Sequence, residues 1–98
     1  MAQFDVYRLP GGELALDVQT DLLSGIQTRV VVPLLPRNAA LVAHPRLNPI
    51  FEVEGEEYVL ATQSIIALET RELGRVVANL DSRYDAIRSA LDMVFLGF

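Results

Sequence analysis

The chain contains no cysteine and no lysine, and only one histidine in 98 residues. Without cysteine there are no disulfides, no thiolate metal sites and no thiol nucleophile. The one imidazole, His44, is followed by Pro45, which places it in a loop. A hydrogen-bonded or solvated loop residue is the expected role, and no Ser-His-Asp set can be assembled around it. All eight basic residues are arginine, against 13 acids, for a net charge of −5. Such a surface lacks the counterion-releasing basic tract that drives binding to a phosphate backbone. No direct nucleic-acid binding is therefore expected, whereas a basic protein partner is allowed. No apolar run approaches the roughly 18 residues of a membrane span, and Met1-Ala2-Gln3-Phe4-Asp5 does not read as a signal peptide. The expectation is a soluble, cytoplasmic protein with no membrane association.

Apolar residues make up 51% of the chain, enough for a folded core and generous for so small a chain. One domain over residues 1–98 is expected, with spare apolar surface that points to oligomerisation. Strand alternation dominates the first two thirds. Phe4 and Val6 alternate with Asp5 and Tyr7, and Leu14, Leu16 and Val18 with Ala15, Asp17 and Gln19, across a Pro10-Gly11-Gly12 turn. Asp21 to Gly25 reads as a loop. Thr28 to Leu35 is a β-branched run, buried on both faces, that Pro33 should end or place at an edge. Pro36 to Pro49 is irregular. Ile50–Val53 and Tyr58–Thr62 flank Glu54-Gly55-Glu56-Glu57 as a second hairpin, while Ser64–Leu68 is ambiguous between strand and short helix. Thr70–Gly74 reads as a connection or a further short strand. Arg75–Leu80 leads into a C-terminal helix with a Ser82…Asp85 capping-box spacing. The architecture is a small antiparallel barrel or curled sheet finished by one helix.

At about 100° per residue, Leu80, Tyr84, Ile87, Leu91 and Val94 form one stripe of that helix, its expected core face. Met93 and Leu96 fall on the polar side instead. Large apolar groups on a solvated face call for a cover, either a partner surface or a second copy of the chain. Fraying of the last turn onto its own core is the plainer alternative. No catalytic, metal or cofactor site emerges. Glu52, Glu54, Glu56 and Glu57 read as a solvated hairpin that keeps an edge soluble. Asp17 and Asp21 are available to pair with Arg29. The glycines lack the context of a phosphate loop, and Tyr7, Tyr58 and Tyr84 sit at core-like positions rather than on a stacking platform. The residues point to a binding module, not an enzyme.

Several blocks, taken together and in order, resemble the CcdB family of toxins from bacterial toxin–antitoxin modules. They are Gln3-Phe4-Asp5-Val6-Tyr7, Asp17-Val18-Gln19-Thr20-Asp21-Leu22-Leu23, Val32-Pro33-Leu34, Leu73-Gly74 with Val77-Ala78-Asn79-Leu80, and Met93-Val94-Phe95-Leu96-Gly97-Phe98. The resemblance implies an SH3-like barrel of CcdB/Kid type with an added small sheet and a C-terminal α-helix. It also implies a homodimer that binds the A subunit of DNA gyrase, traps the cleaved DNA complex and is neutralised by an antitoxin. Carried over by position, the gyrase-binding patch is Leu22, Leu23, Asp92, Phe95, Leu96, Gly97 and Phe98.

The chain departs from the family pattern where Leu96 replaces a tryptophan and Asp92 an asparagine, and its first hairpin is shorter. Leucine has no aromatic face for the cation–π contact that the family's tryptophan makes with a gyrase arginine. Asp92 could partly compensate through a charge-assisted hydrogen bond to that arginine. Two alternatives stand behind gyrase poisoning. The first is a non-toxic homologue that keeps antitoxin binding; the second is a MazF/Kid-like endoribonuclease, which the acidic balance and single histidine disfavour.

Overall fold

The structure, a computed structural model, describes residues 2–39 and 42–97. Seven strands, β1 (Asp5–Arg8), β2 (Leu14–Asp17), β3 (Thr28–Pro36), β4 (Ile50–Val53), β5 (Glu56–Leu60), β6 (Ile66–Glu69) and β7 (Arg75–Asn79), precede one helix, α1 (Tyr84–Leu96). All pairings are antiparallel, in the order β4-β5-β3-β2-β1-β7, with β6 also on β3. The result is a curled half-barrel finished by a helix, as the alternation and the resemblance both led us to expect. The β4–β5 hairpin continues this same sheet from the far end of β3, so the separate small sheet that the resemblance implies is not distinct among the described residues.

The alternating residues of β1 to β3 bury both of their faces. Val6, Leu14, Leu16, Val32 and Leu34 join Phe51, Val53, Leu60, Leu80, Ile87 and Ala90 in one core. On the opposite face of the same strands Tyr7, Ala15, Asp17, Arg29 and Val31 are buried as well.

Three local expectations are corrected and two open readings are resolved. The first strand begins at Asp5 rather than Phe4, because Phe4 has φ 70° and cannot extend it. That unusual backbone is held at both ends: the Phe4 amide donates to the Asp17 carbonyl (2.6 Å) and its carbonyl accepts from Leu80 N–H (2.9 Å). Pro33 neither ends β3 nor sits at an edge. Pairing with β6 stops at Val31 and pairing with β5 starts at Leu34, so Pro33 falls in a gap where its missing N–H costs no ladder bond. The Ser64–Leu68 ambiguity resolves into a single 3₁₀ turn at residues 62–64 followed by β6, and of the two readings of Thr70–Gly74 the connection holds, as a 3₁₀ turn over Thr70–Glu72. The Ser82…Asp85 box does not form. The helix is entered instead through a 3₁₀ turn (Asp81–Arg83), with Asn79 Oδ1 accepting from the Asp81 amide at 2.9 Å.

The second hairpin turns on Glu54-Gly55, both with positive φ (52° and 81°), the conformation a two-residue turn requires to match strand twist. Its glutamates are solvated, as expected. Glu54 pairs with Arg8 across the hairpins (2.6 Å), and Glu57 with Arg37 (2.9 Å).

Candidate functional site

The helix behaves as the wheel suggests on its inner side and more informatively on its outer side. Ile87 and Ala90 are buried, and Leu91 is partly buried against the core. Tyr84, placed on the core stripe by periodicity, is instead 45% exposed, because it stands at the junction of the 3₁₀ turn and the helix. Its ring meets Phe4 edge-on, with centroids 5.8 Å apart.

At the C-terminal end Phe95 and Leu96 are 63% and 65% exposed, while Met93 is half-buried. The last turn is not frayed. Gly97 adopts the left-handed conformation (φ 78°), and its N–H donates to the carbonyls of Asp92 and Met93, both at 3.1 Å. This glycine cap satisfies backbone oxygens that would otherwise be orphaned, and it holds Phe95 and Leu96 outward. Asp92 is half-buried, its carboxylate 3.8 Å from Arg88 one turn back. Phe98 lies outside the described residues.

The other projection is a 3₁₀ turn over Asp21–Leu23, at which Leu22 is 91% and Leu23 47% exposed. Thr20 opens the turn by accepting from the Leu22 amide through Oγ1 (3.3 Å), and Asp21 Oδ1 accepts from Gln3 N–H (2.8 Å). Asp21 therefore does not pair with Arg29. Asp17 does: Arg29 Nε donates to Asp17 Oδ2 at 2.8 Å, with both side chains fully buried. Arg29 is thus shut inside the fold and unavailable to a ligand.

The structure therefore groups Asp92, Phe95, Leu96 and Gly97 on one helix end, and Leu22 with Leu23 on one turn. In each group the large apolar side chains stand exposed, Leu22 most of all. The helix packs mainly against the turns at 62–64 and 81–83. Sequence reasoning passed over Gln19 as a structural element of this surface. It is 6% exposed, and its carboxamide spans the base of the turn by accepting from Val30 N–H (3.0 Å) and donating to the Leu23 carbonyl (3.2 Å). The available signal was its parity with Asp17: both fall on the strand face where a polar side chain must find partners.

His44 is an exposed loop residue, as expected, its Nδ1 accepting from the Arg46 amide at 3.1 Å. Arg46 in turn donates to Ser89 Oγ on the helix (2.6 Å). Among the described residues no cluster of acids, histidine or cysteine could hold a metal ion. A groove of about 320 Å³ between the first hairpin and the end of β3 is lined by Leu14, Leu34, Leu35, Pro36 and Tyr58, with Glu13 as its one carboxylate. Among the described residues no helix is long and apolar enough to cross a membrane.

Comparison with known proteins adds two findings. The fold is shared with toxins and ribonucleases of mycobacteria. An endoribonuclease solved with its cognate antitoxin, from a mycobacterial species, has 17% sequence identity and a TM-score of 0.78, covering 96% of this chain and 93% of that one. A mycobacterial endoribonuclease has 19% identity and a TM-score of 0.75, covering 96% and 89%. The Mycobacterium tuberculosis toxin MazF-mt6 has 14% identity and a TM-score of 0.73, covering 93% of each chain. These likenesses overturn the expectation that the chain is not an enzyme. That expectation rested on composition, and the same backbone architecture carries endoribonucleases. At such identities the likeness is one of fold and transfers no residue roles. The sequence itself supplies the second finding: the family described as CcdB protein matches residues 3–97, so the chain belongs to the CcdB family.

Proposed function

We propose that this CcdB-family chain is the toxin of a toxin–antitoxin module, that it binds the A subunit of DNA gyrase and traps the cleaved DNA complex, and that a cognate antitoxin neutralises it. The observation that carries this reading is the capped helix end, which presents Phe95 and Leu96 outward at 63% and 65% exposure. A globular protein has no use for a rigid pair of large apolar side chains in water unless another surface covers them. Covering each would contribute roughly 1.5–3 kcal/mol, enough to anchor an interface. A homodimer completes the site in this reading: the exposed Leu22-Leu23 turns and Phe95-Leu96 helix ends of two copies together supply the apolar surface that a partner covers. The mycobacterial endoribonuclease bound to its antitoxin supports a neutralising partner for a chain of this fold.

Titration against the gyrase A subunit tests the proposal. Phe95→Ala should weaken binding about 10-fold or more, as expected for truncating an aromatic anchor. Leu96→Trp, which restores an aromatic face, should tighten it by roughly 0.5–2 kcal/mol. Wild-type protein that does not bind gyrase and does not arrest growth, yet still binds an antitoxin peptide, would instead identify a non-toxic homologue.

A second reading, RNA cleavage, is favoured by the endoribonucleases of the same fold. Incubation of the pure protein with RNA decides it. Cleavage at defined sites that is lost on changing one polar residue, with His44→Ala the first variant to make, would replace gyrase as the target.

A further inference from the structure

The segment that displays Leu22 has no apolar anchor of its own. Every residue from 21 to 28 is exposed, so nothing in the loop is pulled into the core by burial. Its shape must come from hydrogen bonds. Those from Leu23 N–H to the Thr20 carbonyl and from Ser24 N–H to the Asp21 carbonyl close the turn on itself. Those from Gln3 N–H to Asp21 Oδ1 and from Thr70 N–H to the Gln27 carbonyl hold its two ends, and one buried side chain grips its middle. Gln19 Nε2 donates to the Leu23 carbonyl (3.2 Å), at the end of the 3₁₀ turn, while its Oε1 accepts from Val30 N–H (3.0 Å) on β3. The Leu23 carbonyl also accepts from Ile26 N–H (3.2 Å), so the carboxamide grips the point where the loop folds back.

Gln19 is itself fixed from below. Asp17 Oδ1 accepts its backbone N–H (3.0 Å), and Arg29 Nη2 donates to its carbonyl (3.4 Å). The buried Asp17–Arg29 pair therefore has a second product besides neutralised charge: a fixed platform for one amide side chain. Donor and acceptor ends of that amide are both used, which leaves one orientation and one loop geometry.

From this we infer that Gln19 is a positioning residue for partner recognition. It touches no partner, yet it sets the posture of the Leu22–Leu23 turn, and the Asp17–Arg29 pair sets Gln19. The inference rests on the proposed gyrase-binding role only for the partner used in its binding measurement; the ordering of the loop stands apart from that role.

Two measurements test it. In amide hydrogen exchange, Gln19→Ala should speed exchange at residues 22–26 while the amides of β1, β2 and β5 keep wild-type protection. The second is a double-mutant cycle read by affinity for the gyrase A subunit. Gln19→Ala alone should weaken binding about 10-fold, but less than about 3-fold when Leu22→Ala is already present, because a residue that works through Leu22 has nothing left to position. A purely structural role would give losses that multiply independently. Unchanged exchange at residues 22–26, or losses that combine independently in the cycle, would overturn the inference. Should wild-type protein fail to bind gyrase, the gyrase proposal falls, and the exchange experiment still decides whether Gln19 orders the turn.

Discussion

At the scale of single residues, the polar face of the curled sheet holds the least forgiving chemistry. Tyr7 is 2% exposed, and among the described residues its hydroxyl has no hydrogen-bond partner, as is true of Arg29 Nη1. Burial, with added repulsion from Asp17 and Asp5 against a smaller opposing pull from Arg29, pushes the Tyr7 phenol up to about 12. Folding therefore favours the protonated phenol. Its contribution is complete below about pH 10, the ordinary phenol value, and is lost as pH rises through the folded value. Wild-type protein should lose roughly 2–3 kcal/mol of stability over that alkaline window by this route. Tyr7→Phe should lack that loss, and at neutral pH should cost less than about 1 kcal/mol, since it removes an unsatisfied hydroxyl. Urea midpoints of the two proteins at pH 8 and pH 11, where about 1.4 kcal/mol of that loss has accrued, measure both effects, and identical alkaline losses would refute the assignment.

Elements are joined here at points that tolerate no added atoms. Gly74 lies where β7 begins beside β1, with Arg75 paired to Arg8. A Cβ at position 74 would run into the Arg8 carbonyl oxygen, a backbone atom that cannot turn aside. Gly74→Ala should therefore destabilise the fold by about 1–3 kcal/mol through forced separation of the two strands. Equilibrium unfolding measures the cost, and a change below about 0.5 kcal/mol would mean that the edge strand shifts freely. Much of this scale was readable in advance. The period-two alternation of residues 4–7 and 14–18, and the Glu54-Gly55-Glu56-Glu57 loop between two apolar runs, located two strands and a hairpin to within a residue or two. What alternation could not reveal was Pro33 inside β3, because its tolerance depends on where two other strands stop and start. Nor could it foretell the helix entry, where Asn79 on β7 displaced the cap expected at Ser82.

For the whole molecule the open question is what covers the remaining apolar surface. Ile66 on β6 and Val76 on β7 are each about half exposed, in addition to the four leucine and phenylalanine side chains of the two projections. Sedimentation equilibrium should return a dimer in the micromolar range. Ile66→Asp combined with Val76→Asp should weaken that association about 10-fold or more, because it places charge on apolar surface that a second copy would cover. A wild-type protein that stays monomeric at those concentrations would refute the paired patch of the proposed function. The candidate site was legible only in its parts. The wheel placed Leu96 off the core, and the resemblance supplied Leu22, Leu23, Asp92, Phe95 and Gly97. Neither indicated how far each of these side chains stands out of the fold.

Chain order and residue type were enough to determine the strand-rich class, the C-terminal helix, the family and the outward placement of Leu96, because each depends on spacing between neighbours or on residues matched in sequence. The curl of the sheet decided the rest. It buried Asp17 against Arg29, sealed the Tyr7 hydroxyl away from water, turned Gln19 into the support of an otherwise unanchored loop, and left Tyr84 half in solvent. These outcomes depend on which distant strand closes over which side chain, and local periodicity carries no record of that closure.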